Sequence, residues 1–209
     1  MSTDRFLQFK SNTGRARDLV ALGQSIGGMT AGRVDASDLH RAALVQAVAA
    51  LDSYVHGVVL DRAVDMLLGR TAHAVRSTKV GLHFTAIADL LTAGSSVEQE
   101  LAARRHVAQR LALETYQRPD DIASALALVS IPRIWRTAFS DAQAAQVALG
   151  TVVNRRNRIV HACDVDPLTP GTVTAMQDAD ALDALATVER TVKAIDPFCR
   201  QVPVPPTGS

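Results

Sequence analysis

Leu44-Val-Gln-Ala-Val-Ala-Ala-Leu-Asp-Ser-Tyr-Val-His-Gly-Val-Val59 repeats its apolar side chains at threes and fours: Leu44, Ala47, Val48, Leu51, Val55, Val58 and Val59. That spacing follows the turn of an α-helix and gathers all of them on one side. With Asp35 or Ser37 as its start signal, the helix is expected to reach about Leu68. A helix this apolar must be covered by others, and the chain on either side supplies them.

Upstream, Leu19, Val20, Leu22, Ile26 and Met29 form a stripe within an expected helix from Asn12 to about Thr30. Downstream the period lapses from Gly69 to Gly81, and a short apolar segment runs from Leu82 to Leu91. Ser95 followed by Glu98 is a capping-box signature for a helix to about Tyr116. Arg118-Pro119-Asp120-Asp121 starts another through Val129, and Pro132 ends it. Ser140-Asp141 caps a strong helix from about Ala142 to His161, and the last helix covers about Val173 to Ala194. Strand signals are nearly absent, with aromatics at only 4%. The expected fold is an all-α antiparallel bundle of about six helices. Residues 1–11 are expected to be a flexible N-terminus, 12–198 one helical domain, and 199–209 a disordered Pro-rich tail.

Composition narrows the function. At 209 residues and 47% hydrophobic content the chain can bury a full core. A net charge of +1 argues against coating nucleic acid by bulk attraction, although Arg155, Arg156 and Arg158 form a local basic cluster. Cys163 and Cys199 make no disulfide framework and no metal-ligand spacing. Met1-Ser-Thr-Asp-Arg-Phe6 lacks the order of a signal peptide, and no uninterrupted apolar run approaches the about 20 residues of a membrane span. A soluble cytoplasmic protein without membrane contact is expected.

Arg156-Asn-Arg-Ile-Val-His161 carries the candidate chemistry. Guanidinium holds phosphate in a fork, and imidazole moves protons near neutral pH. Leu149, Val152, Val153, Arg156, Val160 and Cys163 share one helix side, so Arg156 intrudes where an apolar residue is expected. Asn154, Asn157, Arg158 and His161 form a polar strip on another side. In a straight helix Arg156 and His161 stand about 140° apart. The plainer reading has Arg155, Arg158 and His161 complementing the negative end of the helix dipole, with Arg156 paired to Asp52 or another acid of the long second helix. Asp52 and His56, one turn apart, are a second candidate pair facing the same cleft; an ordinary pair of this kind is worth only about 0.2–0.5 kcal/mol. His73, His83 and His106 read as structural, and Trp135 reads as packing area rather than a base-stacking platform.

Arg-Asn followed by Ile-Val-His at the end of a penultimate helix resembles the signature of the HEPN superfamily. Leu51-Asp-Ser-Tyr-Val-His56, the context Arg155 to His161, and Asp164 just after it are similar to the RiboL-PSP-HEPN branch. The likeness covers about Ala36 to Ile195 in element order. It implies a homodimer that brings two Arg-His motifs into one cleft, and metal-independent endoribonuclease activity on RNA. No cofactor and no metal are implied, and the setting is often a toxin, phage-defence or RNA-processing system under an antitoxin or other regulatory protein. His161 would be the general base or acid for 2′-hydroxyl attack, Arg156 would stabilise the phosphate, and Asn157 would orient His161 or bond the phosphate. Arg155, Arg158, Asp52 and His56 would contact substrate. Some members of the superfamily are catalytically silent, so the alternative is a helical module for dimerisation, RNA binding or protein interaction.

Overall fold

A computed structural model of the chain describes residues 4–71, 81–166, 168–169 and 171–200. Among these it is an all-α helical bundle: α1 (Asp4–Met29), α2 (Ser37–Leu67), α3 (Phe84–Thr92), α4 (Ser96–Leu111), α5 (Pro119–Leu128), α6 (Ile134–Ala138), α7 (Ala142–Ala162) and α8 (Asp178–Arg200). No strand occurs among the described residues; Val165 and Val173 form one isolated antiparallel bridge.

The α2 stretch behaves as its spacing requires. Leu44, Ala47, Val48, Leu51, Val55 and Val59 are all at most 2% exposed. α1, α4, α5, α7 and α8 pack around α2. Burying each large apolar side chain there contributes about 1.5–3 kcal/mol. α2 is long and apolar enough to cross a membrane by length and composition, but 61% of its most apolar window is buried inside the bundle. The Asp35 carboxylate accepts from the Ser37 backbone N–H at 2.9 Å, which satisfies one of the amides that a helix start leaves open.

The first helix starts at Asp4, so the N-terminus from there onward is ordered rather than flexible. Phe9 is 3% exposed and meets Tyr54 edge-on at 5.8 Å. The buried side of α1 is Phe9, Asn12, Thr13, Ala16, Val20 and Gly23. Small and polar members dilute its apolar period, which is why the sequence signal starts late. Gly23 lets α1 approach α2: a Cβ there would stand 2.6 Å from His40 Nε2.

Both predicted caps form, with Ser95 Oγ accepting from Glu98 N at 3.2 Å and Asp141 Oδ1 from Ala144 N at 2.9 Å. A short helix that the sequence pattern does not mark, α6, follows left-handed backbone at Ser130 (φ 67°) and Arg133 (φ 56°). It buries Trp135, whose indole N–H donates to the Pro119 carbonyl at 2.9 Å, as a packing role requires.

The last helix begins at Asp178 rather than near Val173. Thr174 N donates to Asp164 O at 2.9 Å and Asp166 N to Thr172 O at 2.8 Å, so this stretch is held as a turned-back ribbon. The carbonyls of Thr174 and Ala175 are taken by arginine side chains and are not free for a helix. At its other end α8 continues through Pro197 to Arg200. Tyr54 donates to Asp196 at 2.9 Å, and Arg62 donates to the Cys199 carbonyl at 3.2 Å. Cys199 and Arg200 therefore belong to the bundle rather than to a tail; 201–209 lie outside the described residues. Burial pushes the Cys199 thiol up to about 11.

Candidate functional site at the end of α7

α7 is unbroken from Ala142 to Ala162, so its helical azimuths hold through the motif. Leu149, Val152 and Val153 are buried, Ile159 packs against the core, and Arg156 falls at the centre of that side. Arg156 Nη1 donates to Asn157 Oδ1 at 3.1 Å, and its Nε is buried without a partner. Val160, 46% exposed, and Cys163, exposed, are not covered as the sequence pattern anticipates. The covered apolar side of α7 ends at Ile159.

His161 is exposed and makes no side-chain hydrogen bond or ion pair among the described residues. Because the helix does not fray, Arg156 and His161 stand about 140° apart and do not meet within one chain.

Arg155 is engaged within the chain. Its Nη2 donates to Asp164 Oδ2 at 2.7 Å and to the carbonyls of Thr174 and Ala175 at 3.2 and 3.1 Å. Asp164 is 0% exposed. Arg41 of α2 donates to the same carboxylate oxygen at 3.1 Å, and also to Ser37, Asp38 and the Thr174 carbonyl. The chain leaves α7 through left-handed backbone at Cys163 (φ 48°) and Asp164 (φ 56°), and both of their amides reach the Arg158 carbonyl.

Asp52 does not pair with Arg156. Its Oδ1 accepts from Tyr116 N at 2.6 Å, and Gln117 Nε2 lies 3.4 Å from its Oδ2. His56 lies with Nδ1 2.9 Å from the Asp52 carbonyl and Nε2 3.2 Å from the Leu111 carbonyl, its ring against Tyr116 at 4.4 Å. Two carbonyl acceptors suit an imidazole protonated at both nitrogens. The Asp52 side-chain contact, backed by these carbonyls, holds the His56 pKa above its ordinary value despite burial. Burial works against ionisation of Asp52, but His56 and the Tyr116 amide override it and hold its pKa below the usual carboxylate value. These residues lock the end of α4 and the following loop to α2. They form a structural clamp. His106 likewise sits 2.8 Å from Asp89, His83 is exposed just before α3, and His73 lies outside the described residues.

Between α7 and α8 runs an open groove of roughly 930 Å³. Asn154, Arg155 and Arg158 line one wall, Asp180 and Asp183 the other, and Met176 lies between them. Of the polar strip read from the sequence, Asn154 and Arg158 line this wall, whereas Asn157 and His161 do not. Sequence reasoning misses the two carboxylates. They are visible as acidic residues in the last helix, but which of them faces α7 depends on how the helices pack. No group of three or more metal-ligating side chains occurs among the described residues. Comparison of the chain with family models, with curated proteins and with solved structures finds no match.

Proposed function

We propose that the chain is a metal-independent endoribonuclease of the HEPN type, acting in the cytoplasm as a homodimer. The observation that carries this reading is the pairing of Arg156 with Asn157 at 3.1 Å on the same helix end as an exposed His161 that has no side-chain partner among the described residues. The angle between Arg156 and His161 supports a composite site in which Arg156 of one protomer approaches His161 of the other. His161 takes the proton of a ribose 2′-hydroxyl as that oxygen attacks the adjacent phosphorus. The 5′-oxygen leaves with a proton from a second imidazole, giving a 2′,3′-cyclic phosphate. Arg156 stabilises the charge that develops on the phosphoryl oxygens. Restraint by an antitoxin or other regulatory protein fits such an activity, since free cleavage of cellular RNA harms the cell.

The test is incubation of RNA with wild type, Arg156→Ala and His161→Ala in EDTA. Wild type is expected to leave cyclic phosphate ends, and both variants to be inert. Equal cleavage by His161→Ala, or no cleavage of any RNA by wild type, overturns the reading. A second reading, a catalytically silent helical module, is favoured by the commitment of Arg155 to Asp164 and the core-facing position of Arg156. It predicts dimerisation or RNA retention with no strand scission.

A further inference from the structure

The groove between α7 and α8 has walls of opposite charge, and this constrains how a nucleic acid strand could lie in it. Arg158 is exposed and engages no carboxylate by salt bridge among the described residues. Asn154 is exposed one turn before it. Across the groove, Asp180 accepts from Gln177 N at 2.8 Å, whereas Asp183 is exposed and makes no hydrogen bond among the described residues. A phosphate on the α8 wall would meet two carboxylates; on the α7 wall it meets the exposed Arg158 guanidinium, which forms no salt bridge among the described residues and whose charge is felt by Asp166.

We propose that this groove is the RNA-binding track, with the sugar-phosphate backbone along Arg158 and Asn154 and a base edge on Asp183. The proposal rests on the ribonuclease reading above and adds a base preference to it. A carboxylate can only accept hydrogen bonds. It therefore favours a base that offers an amino group on its reading edge, as cytosine does through N4. Uracil offers the O4 lone pairs at that position, and these repel a carboxylate. The groove is at the upper end of the about 300–1,000 Å³ that holds drug-sized ligands, enough for a nucleotide and part of its neighbour. His161 does not line the groove but follows Arg158 one turn further along α7, so a strand held on Arg158 would continue toward it.

Binding can be measured without cleavage by fluorescence anisotropy on full-length His161→Ala, with labelled oligocytidylate and oligouridylate at one salt concentration. Oligocytidylate is expected to bind about tenfold tighter than oligouridylate. Adding Asp183→Asn, whose amide can also donate, should bring the two within about threefold by improving the uridylate. Arg158→Ala should weaken both oligomers equally. Asp183 is exposed, so thermal melting of Asp183→Asn should match that of its parent and rule out misfolding. Equal affinity for the two oligomers, or a preference that Asp183→Asn leaves unchanged, overturns the proposal. A cytidylate preference in a wild type that cuts nothing leaves the groove standing and sinks the ribonuclease reading. Cleavage without base preference does the reverse.

Discussion

Arg155 and Asp164 form an ion pair at 2.7 Å, and the carboxylate in that pair is closed to solvent. Arg41 reaches the same oxygen from α2, so one buried negative charge joins two helices and the ribbon between α7 and α8. Cutting such a pair from one side leaves charges buried without compensation.

Asp164→Ala should therefore lower unfolding free energy by about 3–5 kcal/mol, as for other buried pairs that lose one partner. Asp164→Asn keeps the left-handed backbone accessible and should cost less. Urea denaturation of the three proteins measures both, and a loss within about 0.5 kcal/mol for the alanine variant contradicts the assignment.

The His56–Asp52 clamp sets a pH window. The His56 pKa is raised, so its contribution is complete below the ordinary value of 6.5 and fades as pH climbs through the folded value above it. The Asp52 pKa is lowered, so its contribution is complete above 3.8 and fades as pH falls through the folded value below it. The clamp is strongest between those two ordinary values. Melting temperatures of wild type and His56→Gln should differ most in that window and converge toward alkaline pH. A constant difference across the range argues for a neutral imidazole.

Arg156→Met separates stability from activity. The Arg156 Nε is buried without a partner, so an apolar side chain of similar length removes a desolvation cost. Stability should hold within about 1 kcal/mol or rise, while cleavage of RNA disappears. Severe unfolding of this variant would instead mark Arg156 as a structural keystone.

Glycines on two helices should respond in opposite directions. A Cβ added at Gly150 in α7 would meet nothing within 4 Å, so Gly150→Ala should gain about 0.8–1 kcal/mol of helix propensity. Gly23→Ala gains the same propensity but drives a methyl to 2.6 Å from His40 Nε2, in a side chain that is 8% exposed. Overpacking of this kind costs about 1–3 kcal/mol, so the net effect should be destabilising. Chemical denaturation of both variants decides.

Much of the architecture is legible in the sequence because its signals are local. The apolar period of α2, the Ser95 and Asp141 caps and the stop at Pro132 each depend on neighbours within a turn or two. What stays hidden depends on distant chain. α1 buries Asn12, Thr13 and Gly23, which no hydropathy pattern marks as interior. α8 starts late because Arg41 and Arg155, remote in sequence, occupy carbonyls the helix would need. The same holds at the candidate site. The covered position of Arg156 follows from helix period alone. The partners of Asp52 come instead from the Tyr116 loop, and the acid that holds Arg155 lies in a turn beyond the helix.

The ribbon from Thr172 to Gln177 has a cavity on either flank. Arg155 lines the groove on one side and Arg41 the cavity of roughly 700 Å³ on the other, while both hold Asp164. Drawing either guanidinium toward a bound molecule leaves the other as the sole counter-ion of a buried charge and tightens its grip.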